Sequence, residues 1–433
     1  MEKNIKSENK GFKETKLGWI PRDWEIYRID EIFRFLRSNS YSRSNLEYSI
    51  NSDGIRNIHY GDIHSLYTTG VLDCDNFSII PKVKNSIKVG DNYDRLQDGD
   101  LVIADASEDY DGVGSIIELI NIRELNIVAG LHTFALRDKA SKTILGFRNN
   151  ILSNEKVRNE LKRIATGSKV YGISKYNFQK FEIIIPPIPE QKAIATCLTS
   201  WDTAITKLNA IIKAKQQLKK ALMQQLLSGK KRLPGFNMDW RTNRFDYFLE
   251  YSPRPVDKPK TAFTKLGIRS HCKGTFQNQN FKPANIAIDT LYLVKPNDLI
   301  VNITFAWEGA IAIVKNNDEG ALVSHRFPTY TFKKDLSEVE YFRQFIQTKK
   351  FRYLLELISP GGAGRNRVLS KKELNKLKIT IPNSEEQTAI AQVLKTADQE
   401  IALLITQHNQ LQLQKKGLMQ LLLTGKKRLI TNG

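Results

Sequence analysis

PPIPEQKAIATCL (residues 186–198) and IPNSEEQTAIAQVL (residues 381–394) are two copies of one opening, and LMQQLLSGKKRL (222–233) and LMQLLLTGKKRL (418–429) are two copies of one ending. Gln191 stands 196 residues before Gln387, and Gly229 stands 196 before Gly425, so nothing is inserted or deleted between the landmarks. An insertion would rotate a helix's apolar stripe, so this ungapped repeat reads as one long helix present twice. In the first copy Ile194, Leu198, Trp201, Ile205, Leu208 and Ile212 alternate steps of four and three, and the seam resumes at Leu218, Leu222 and Leu226. In the second, Ile390, Leu394, Ala397, Ile401, Leu404, His408 and Leu411 do the same before Leu418 and Leu422. This alternation is a coiled-coil seam, and it predicts a loss of phase near Lys215 and Lys415. Pro189 with Glu190, and Glu385 with Glu386, suit a first helical turn, while Gly229 and Gly425 mark the ends, with KKR beyond each.

A second repeat sets the units. LGWIPRDWE (17–25) resembles LPGFNMDWR (233–241), with Asp23 and Trp24 matching Asp239 and Trp240 at a shift of 216, so the first unit is about 20 residues longer than the second. The chain reads as domain 1–188, helix 189–229, domain 230–382, helix 383–425 and a basic tail 426–433. Each helix of about 40 residues would measure roughly 60 Å at 1.5 Å per residue. Exposed alone, its seam would face water, so the two copies are expected to pair. Domain termini usually lie close together, which predicts an antiparallel pair with one globular domain at each end.

Inside the domains, strand-like runs cover 100–104, 114–120, 291–294, 298–303 and 310–314, and 181–185 and 377–381 read as last strands stopped by proline. The expected class is mixed α and β (α/β, α+β). A small basic loop precedes each last strand: ATGSKVYGISK (165–175) and GGAGRNRVLSK (361–371). Ser174 and Ser370 are candidate N-caps after these loops, and Ser370 with Glu373 has capping-box spacing.

A formal charge of +20 and a sequence pI near 9.6 point to a polyanionic partner, because Lys and Arg release counterions when they pair with phosphates. A loop of Gly with Arg, Asn and Lys lets backbone approach a phosphate or base edge, where Arg suits guanine and Asn suits adenine. Arg365, Asn366, Arg367 and Lys371 in one copy, and Lys169, Tyr171 and Lys175 in the other, are therefore the candidate DNA contacts. Tyr110 and Trp307 occupy loops after strands in both domains and are further candidates. His132 and His325 fall at similar places and read as structural histidines, and Asp105, Glu108, Asp109 and Asp111 read as a solvated acidic turn rather than a metal site.

No GxxxxGK[ST], HExxH, CxxC or GxSxG motif is present, so neither catalytic machinery nor a cofactor of the chain's own is expected. Cys74, Cys197 and Cys272 are too few and too scattered for a disulfide framework and suit a cytoplasmic protein. No apolar run of about 18 residues predicts a membrane span.

The LGWIPRDWE opening, the proline-ended strand followed by PEQ or SEEQ, and the doubled LMQ and GKKRL endings resemble the specificity subunit of type I restriction-modification systems over essentially the whole chain. The resemblance implies two target recognition domains, each reading half of a split, asymmetric double-stranded DNA site, and two helices that separate them. It further implies two modification subunits that bind S-adenosylmethionine and methylate adenine, and two restriction subunits that use ATP and Mg to translocate and cut. Seam residues Ile194, Leu198, Trp201, Ile205, Leu208, Ile390, Leu394, Ile401, Leu404 and Leu411 then serve helix pairing or partner docking. A rod near 60 Å would span roughly 15 to 18 base pairs. The alternative reading, a coiled-coil scaffold for acidic proteins, accounts for charge and helices but not for domains that repeat their boundaries and diverge inside.

Overall fold

The computed structural model describes residues 11–49, 53–67, 70–88, 90–361 and 367–429. Two long helices, α1 (Ile188–Leu226) and α2 (Ser384–Leu423), carry the repeated stretches. Gly229 (φ 73°) and Gly425 (φ 69°) take the left-handed backbone that ends each one. The chain divides into two compact units, residues 1–208 with 407–433 and residues 209–406, so each unit owns part of both helices.

In the first unit the core sheet runs, in spatial order, Phe33–Leu36, Thr133–Asp138, Leu101–Ala104, Ile116–Ile120 and Val71–Asp73, antiparallel except for its last pair. A smaller sheet orders Asn126–Ala129, Ile55–Ile58, Lys82–Val83 and Leu46–Glu47. In the second unit the core sheet is Leu249–Tyr251, Thr329–Phe332, Leu299–Val301 and Ile311–Ile313, beside a five-stranded sheet of Pro255–Asp257, Thr290–Leu293, Leu322–Val323, Phe263–Ile268 and Thr275–Phe281. Central strands such as LVIA (101–104) are buried at every position, which is why they read as continuous apolar runs. In each unit the strand after the DW pair joins the last strand antiparallel: Glu25–Arg28 with Glu182–Ile185, and Arg241–Arg244 with Lys378–Ile381. That pairing brings each domain's start beside its end, as domain termini usually lie.

Within each unit the two helix segments run in opposite directions. In the first, Ile194 and Leu198 pack with Leu422 and Leu423, and Asp202 meets Lys415 at 2.6 Å. In the second, Leu226 and Leu227 share a core with Ile390 and Leu394, Lys219 meets Asp398 at 2.5 Å and Lys215 meets Glu400 at 2.6 Å. Asp202 and Asp398, and Lys219 and Lys415, are repeat equivalents, so the same ion pair is made twice with the helices exchanging roles. The seam therefore does not lose phase at the lysines. It continues through Ile212, Lys215, Lys219, Leu222 and Leu226, and through His408, Leu411, Lys415, Leu418 and Leu422, because a lysine stem can lie on the seam while its ammonium reaches an acid. Leu218, expected on the seam, is instead 53% exposed. Trp201, Ile205, Leu404 and Leu411 are half-buried, and Leu208 and Ile401 are buried.

The repeated GKKRL ending acts as a clamp. In the first unit Arg428 donates to Glu190 (2.6 Å) and to both oxygens of Asp23 (3.1 and 2.7 Å), with its guanidinium 5.8 Å from the Trp24 ring centre. Trp24, fully buried, donates its indole N–H to the same Glu190 at 2.8 Å. In the second unit Arg232 makes both bonds to Glu386 (2.6 Å each), and Trp240 donates to that carboxylate at 3.2 Å. These partners raise the Arg428 pKa, the Asp23 bond contributing most, and Arg428 lowers that of Asp23. Replacing Arg428 by Ala leaves Glu190, whose side chain is 7% exposed, without its cation. The partial exposure of Arg428 and Asp23 moderates the loss to about 2 kcal/mol, seen as a melting-point drop of about 4–8 °C in the transition of the first unit. An unchanged midpoint would mean that solvent screens the clamp.

Candidate nucleic-acid interface

At one end of each core sheet three chain segments meet in the same way. In the first unit the Asp105 N–H, just past strand Leu101–Ala104, donates to the His132 carbonyl at 3.1 Å, and the Asp105 carbonyl accepts from the Ile173 N–H at 2.8 Å. In the second unit the Ile303 N–H donates to the Arg326 carbonyl at 3.0 Å, and the Ile303 carbonyl accepts from the Leu369 N–H at 2.8 Å. The strand register agrees, since Leu101 faces Leu136 as Leu299 faces Tyr330. The structural counterpart of His132 is thus Arg326, not the adjacent His325 that the sequence suggested. The third segment of each junction is the end of the basic loop.

The first loop pairs with the acidic turn. Tyr171 and Gly172 form a short antiparallel pairing with Ala106 and Ser107, and the Tyr171 ring stands edge-on to Tyr110 at 5.0 Å. Lys169 is exposed, and the Lys175 ammonium lies 5.4 Å from the Phe35 ring centre. Ser174 caps helix Lys175–Gln179 by accepting from the Asn177 N–H at 3.2 Å. The acidic turn is partly neutralised, with Asp111 paired to Lys162 and its carbonyl taken by Arg158. No group of His, Cys, Asp and Glu able to hold a metal ion occurs among the described residues.

Beside this turn the fold assembles rings that sequence reasoning missed. Tyr60 lies 4.6 Å from His59, 6.1 Å from His64 and 5.4 Å from His132, measured between ring centres. His132 Nδ1 is 3.3 Å from the Asp105 carboxylate, and burial pushes the Asp105 pKa up while His132 opposes that shift. His59 and Tyr60 lie some 45 residues from Asp105 in the chain, and no local pattern announces their meeting.

In the second unit Arg365 and Asn366 lie outside the described residues. Arg367 is engaged, its guanidinium 5.1 Å from the Trp307 ring centre and 3.7 Å from Glu356. The Lys371 ammonium sits 3.3 Å from the Tyr251 hydroxyl and over its ring. Ser370 makes no side-chain cap to helix Lys371–Lys376; Glu373 pairs with Lys376 at 3.7 Å, so the expected capping box is not formed.

The family described as "Type I restriction modification DNA specificity domain" matches residues 21–220 and 262–413. The type I restriction enzyme MjaX specificity subunit assigned to Methanocaldococcus jannaschii is 26% identical, covering 98% of both chains. The type I restriction enzyme EcoKI specificity subunit of Escherichia coli K12 is 24% identical over 49% of this chain and 43% of its own. Among solved structures, a chain from work on complex assembly and conformational transition of the type I R-M system matches with a TM-score of 0.58 at 14% identity, covering 94% of this chain and 99% of that one. The S subunit from M. genitalium matches at a TM-score of 0.50 and 14% identity, covering 92% and 96%. Two separate matched regions, one per repeat, fall on a chain whose fold is built twice, and the chain belongs to the type I restriction-modification DNA specificity family.

Proposed function

We propose that the chain is the DNA-reading subunit of a type I restriction-modification complex, in which the domains 1–188 and 230–382 each recognise one half of an asymmetric, gapped duplex site. The observation that carries this reading is the doubled junction: identical backbone bonding at Asp105–His132–Ile173 and Ile303–Arg326–Leu369, clothed in different side chains. One scaffold repeated with divergent surfaces suits two unlike half-sites. The basic loops supply contacts beside these junctions through Lys169, Tyr171 and Lys175 in one domain and Arg367 and Lys371 in the other, with Arg365 and Asn366 kept as candidates on sequence alone, and the overall charge of +20 supplies attraction to phosphates.

The partners are modification and restriction subunits, two of each, which carry S-adenosylmethionine, ATP and Mg. Off-seam apolar residues of the long helices, Leu413 in the first unit and Leu403 in the second (70% exposed each), offer them docking points within each unit. No helix among the described residues is long and apolar enough to cross a membrane, and the proposed work on chromosomal and incoming DNA places the chain in the cytoplasm.

The test is a map of methylated adenines in a host carrying the chain and its modification partner, against the same host lacking the chain. A new asymmetric, gapped motif is expected, and exchanging residues 1–188 for those of another specificity chain should change one half-site only. With the modification partner active beside another specificity chain, absence of any new motif would overturn the reading in favour of the scaffold.

A further inference from the structure

The doubled junction also points to the residues that discriminate bases. His132 and Arg326 occupy one backbone position in two domains, each carbonyl accepting from the equivalent N–H, that of Asp105 or of Ile303. Both side chains reach solvent: the His132 side chain is 52% exposed and Arg326 is exposed. Each is steered by a partner on the segment after the central strand, His132 by Asp105 at 3.3 Å and Arg326 by the Thr304 hydroxyl at 3.4 Å. The residue that each carbonyl binds, Asp105 or Ile303, in turn accepts from the end of that domain's basic loop, at Ile173 or Leu369. Backbone placement is thus held constant while the hydrogen-bonding group at the tip is exchanged. A phosphate contact needs only positive charge and would not require such a change of chemistry; a base contact would.

We infer that Arg326 and His132 are specificity-determining residues, one for each half-site, with Arg326 reading a guanine through its fork and His132 making a single hydrogen bond to a base edge. The guanidinium carries N–H donors in a fork that matches guanine O6 and N7. For the imidazole, the Asp105 carboxylate lies 3.3 Å from Nδ1 and orients the ring, so Nε2 is the nitrogen turned away from it. Nε2 then offers a single hydrogen bond to a base edge. Asp105 acts as a positioning residue. One bond discriminates less than a fork, so the half-site read through Arg326 should be the stricter at its contacted base.

This inference rests on the proposed DNA reading, and its test separates the two. The full chain with its modification partner would be compared with Arg326→Ala, Arg326→Lys and His132→Ala forms, by mapping methylated adenines and by measuring binding to duplexes changed one base at a time. Arg326→Ala and Arg326→Lys should both lose the preference at one position of one half-site, by on the order of tenfold or more, with the other half-site and the gap unaltered. His132→Ala should relax one position of the opposite half-site, by several-fold. If Arg326→Lys keeps the full preference while Arg326→Ala weakens all duplexes evenly and lowers the salt slope by about one, Arg326 is a phosphate contact and the inference falls. It falls equally if either variant alters both half-sites or the gap. A wild-type chain that yields no gapped motif would instead refute the underlying DNA reading.

Discussion

Replacing Gln191 or Gln387 by Ala is expected to destabilise the affected unit by about 3 kcal/mol, lowering its melting temperature by about 6–12 °C. Both glutamines are fully buried. Gln191 accepts from the Ile144 N–H at 3.1 Å and donates to the carbonyls of Lys142 and Pro186 at 2.8 Å each. Gln387 repeats the set with the Glu338 N–H at 2.9 Å, the Leu336 carbonyl at 3.1 Å and the Pro382 carbonyl at 2.9 Å. One side chain thus ties the end of the last strand and a preceding loop to the first turn of each long helix. Truncation strands three backbone groups, the proline carbonyl in a buried bond and the other two in part-buried ones, and an orphaned group costs more than the net worth of its bond. Glu in place of Gln should be no better, because a carboxylate cannot donate to two carbonyls. Exposed Lys192, one residue on, is the control, and its change to Ala should be nearly silent. A Gln191→Ala form melting with the wild type would show that water replaces all three bonds.

These glutamines illustrate what the sequence could and could not reveal. The PEQ and EEQ repeats mark the helix starts, and the 196-residue spacing between Gln191 and Gln387 predicts two equivalent helices from the sequence alone. Period and repetition are local properties, so the seam, the glycine ends and the strand-like runs were legible. The purpose of the glutamate beside each glutamine was not, because Glu190 is completed by Trp24 and Arg428, residues at opposite ends of the chain. Sheet order was equally hidden, since strand Thr133–Asp138 lies between Phe33–Leu36 and Leu101–Ala104 by long-range pairing alone.

The seam and the site misled for specific reasons. Lys215 and Lys415 looked like breaks because a charge on an apolar stripe signals lost phase; their acids sit on the other helix, and a stem-buried lysine keeps the phase. His325 looked like the partner of His132 by residue type, whereas the carbonyl bonds pair His132 with Arg326, a difference visible only once strand register is known. Basic loops were legible as composition. Which of their side chains stay open was not, and Arg367 already stacks on Trp307.

The second large effect lies in pH. Glu118 sits mid-strand in the first unit, fully buried, with its two oxygens accepting from the backbone N–H groups of Gly146 at 2.9 Å and Asn149 at 3.2 Å. Burial pushes its pKa up to about 7 from 4.5, despite the lowering by those bonds and by Arg148. Below about pH 4.5 both the folded and the unfolded chain hold this proton, and it does not affect stability. Between about 4.5 and 7 the folded state keeps a proton that the unfolded chain has released, so stability falls as pH rises; above 7 the penalty is constant. A shift from 4.5 to about 7 corresponds to on the order of 3 kcal/mol. Glu118→Gln removes the titration but leaves one backbone N–H facing an amide NH2, at a cost of about 1–2 kcal/mol. The variant should therefore be the less stable protein at pH 5 and should draw level with or overtake the wild type by pH 8. Denaturant titrations of both proteins across this range measure the difference directly, because every other titrating group is common to the two. Parallel stability curves between pH 5 and 8 would show that Glu118 is solvated in the folded state and that its burial does not hold the proton.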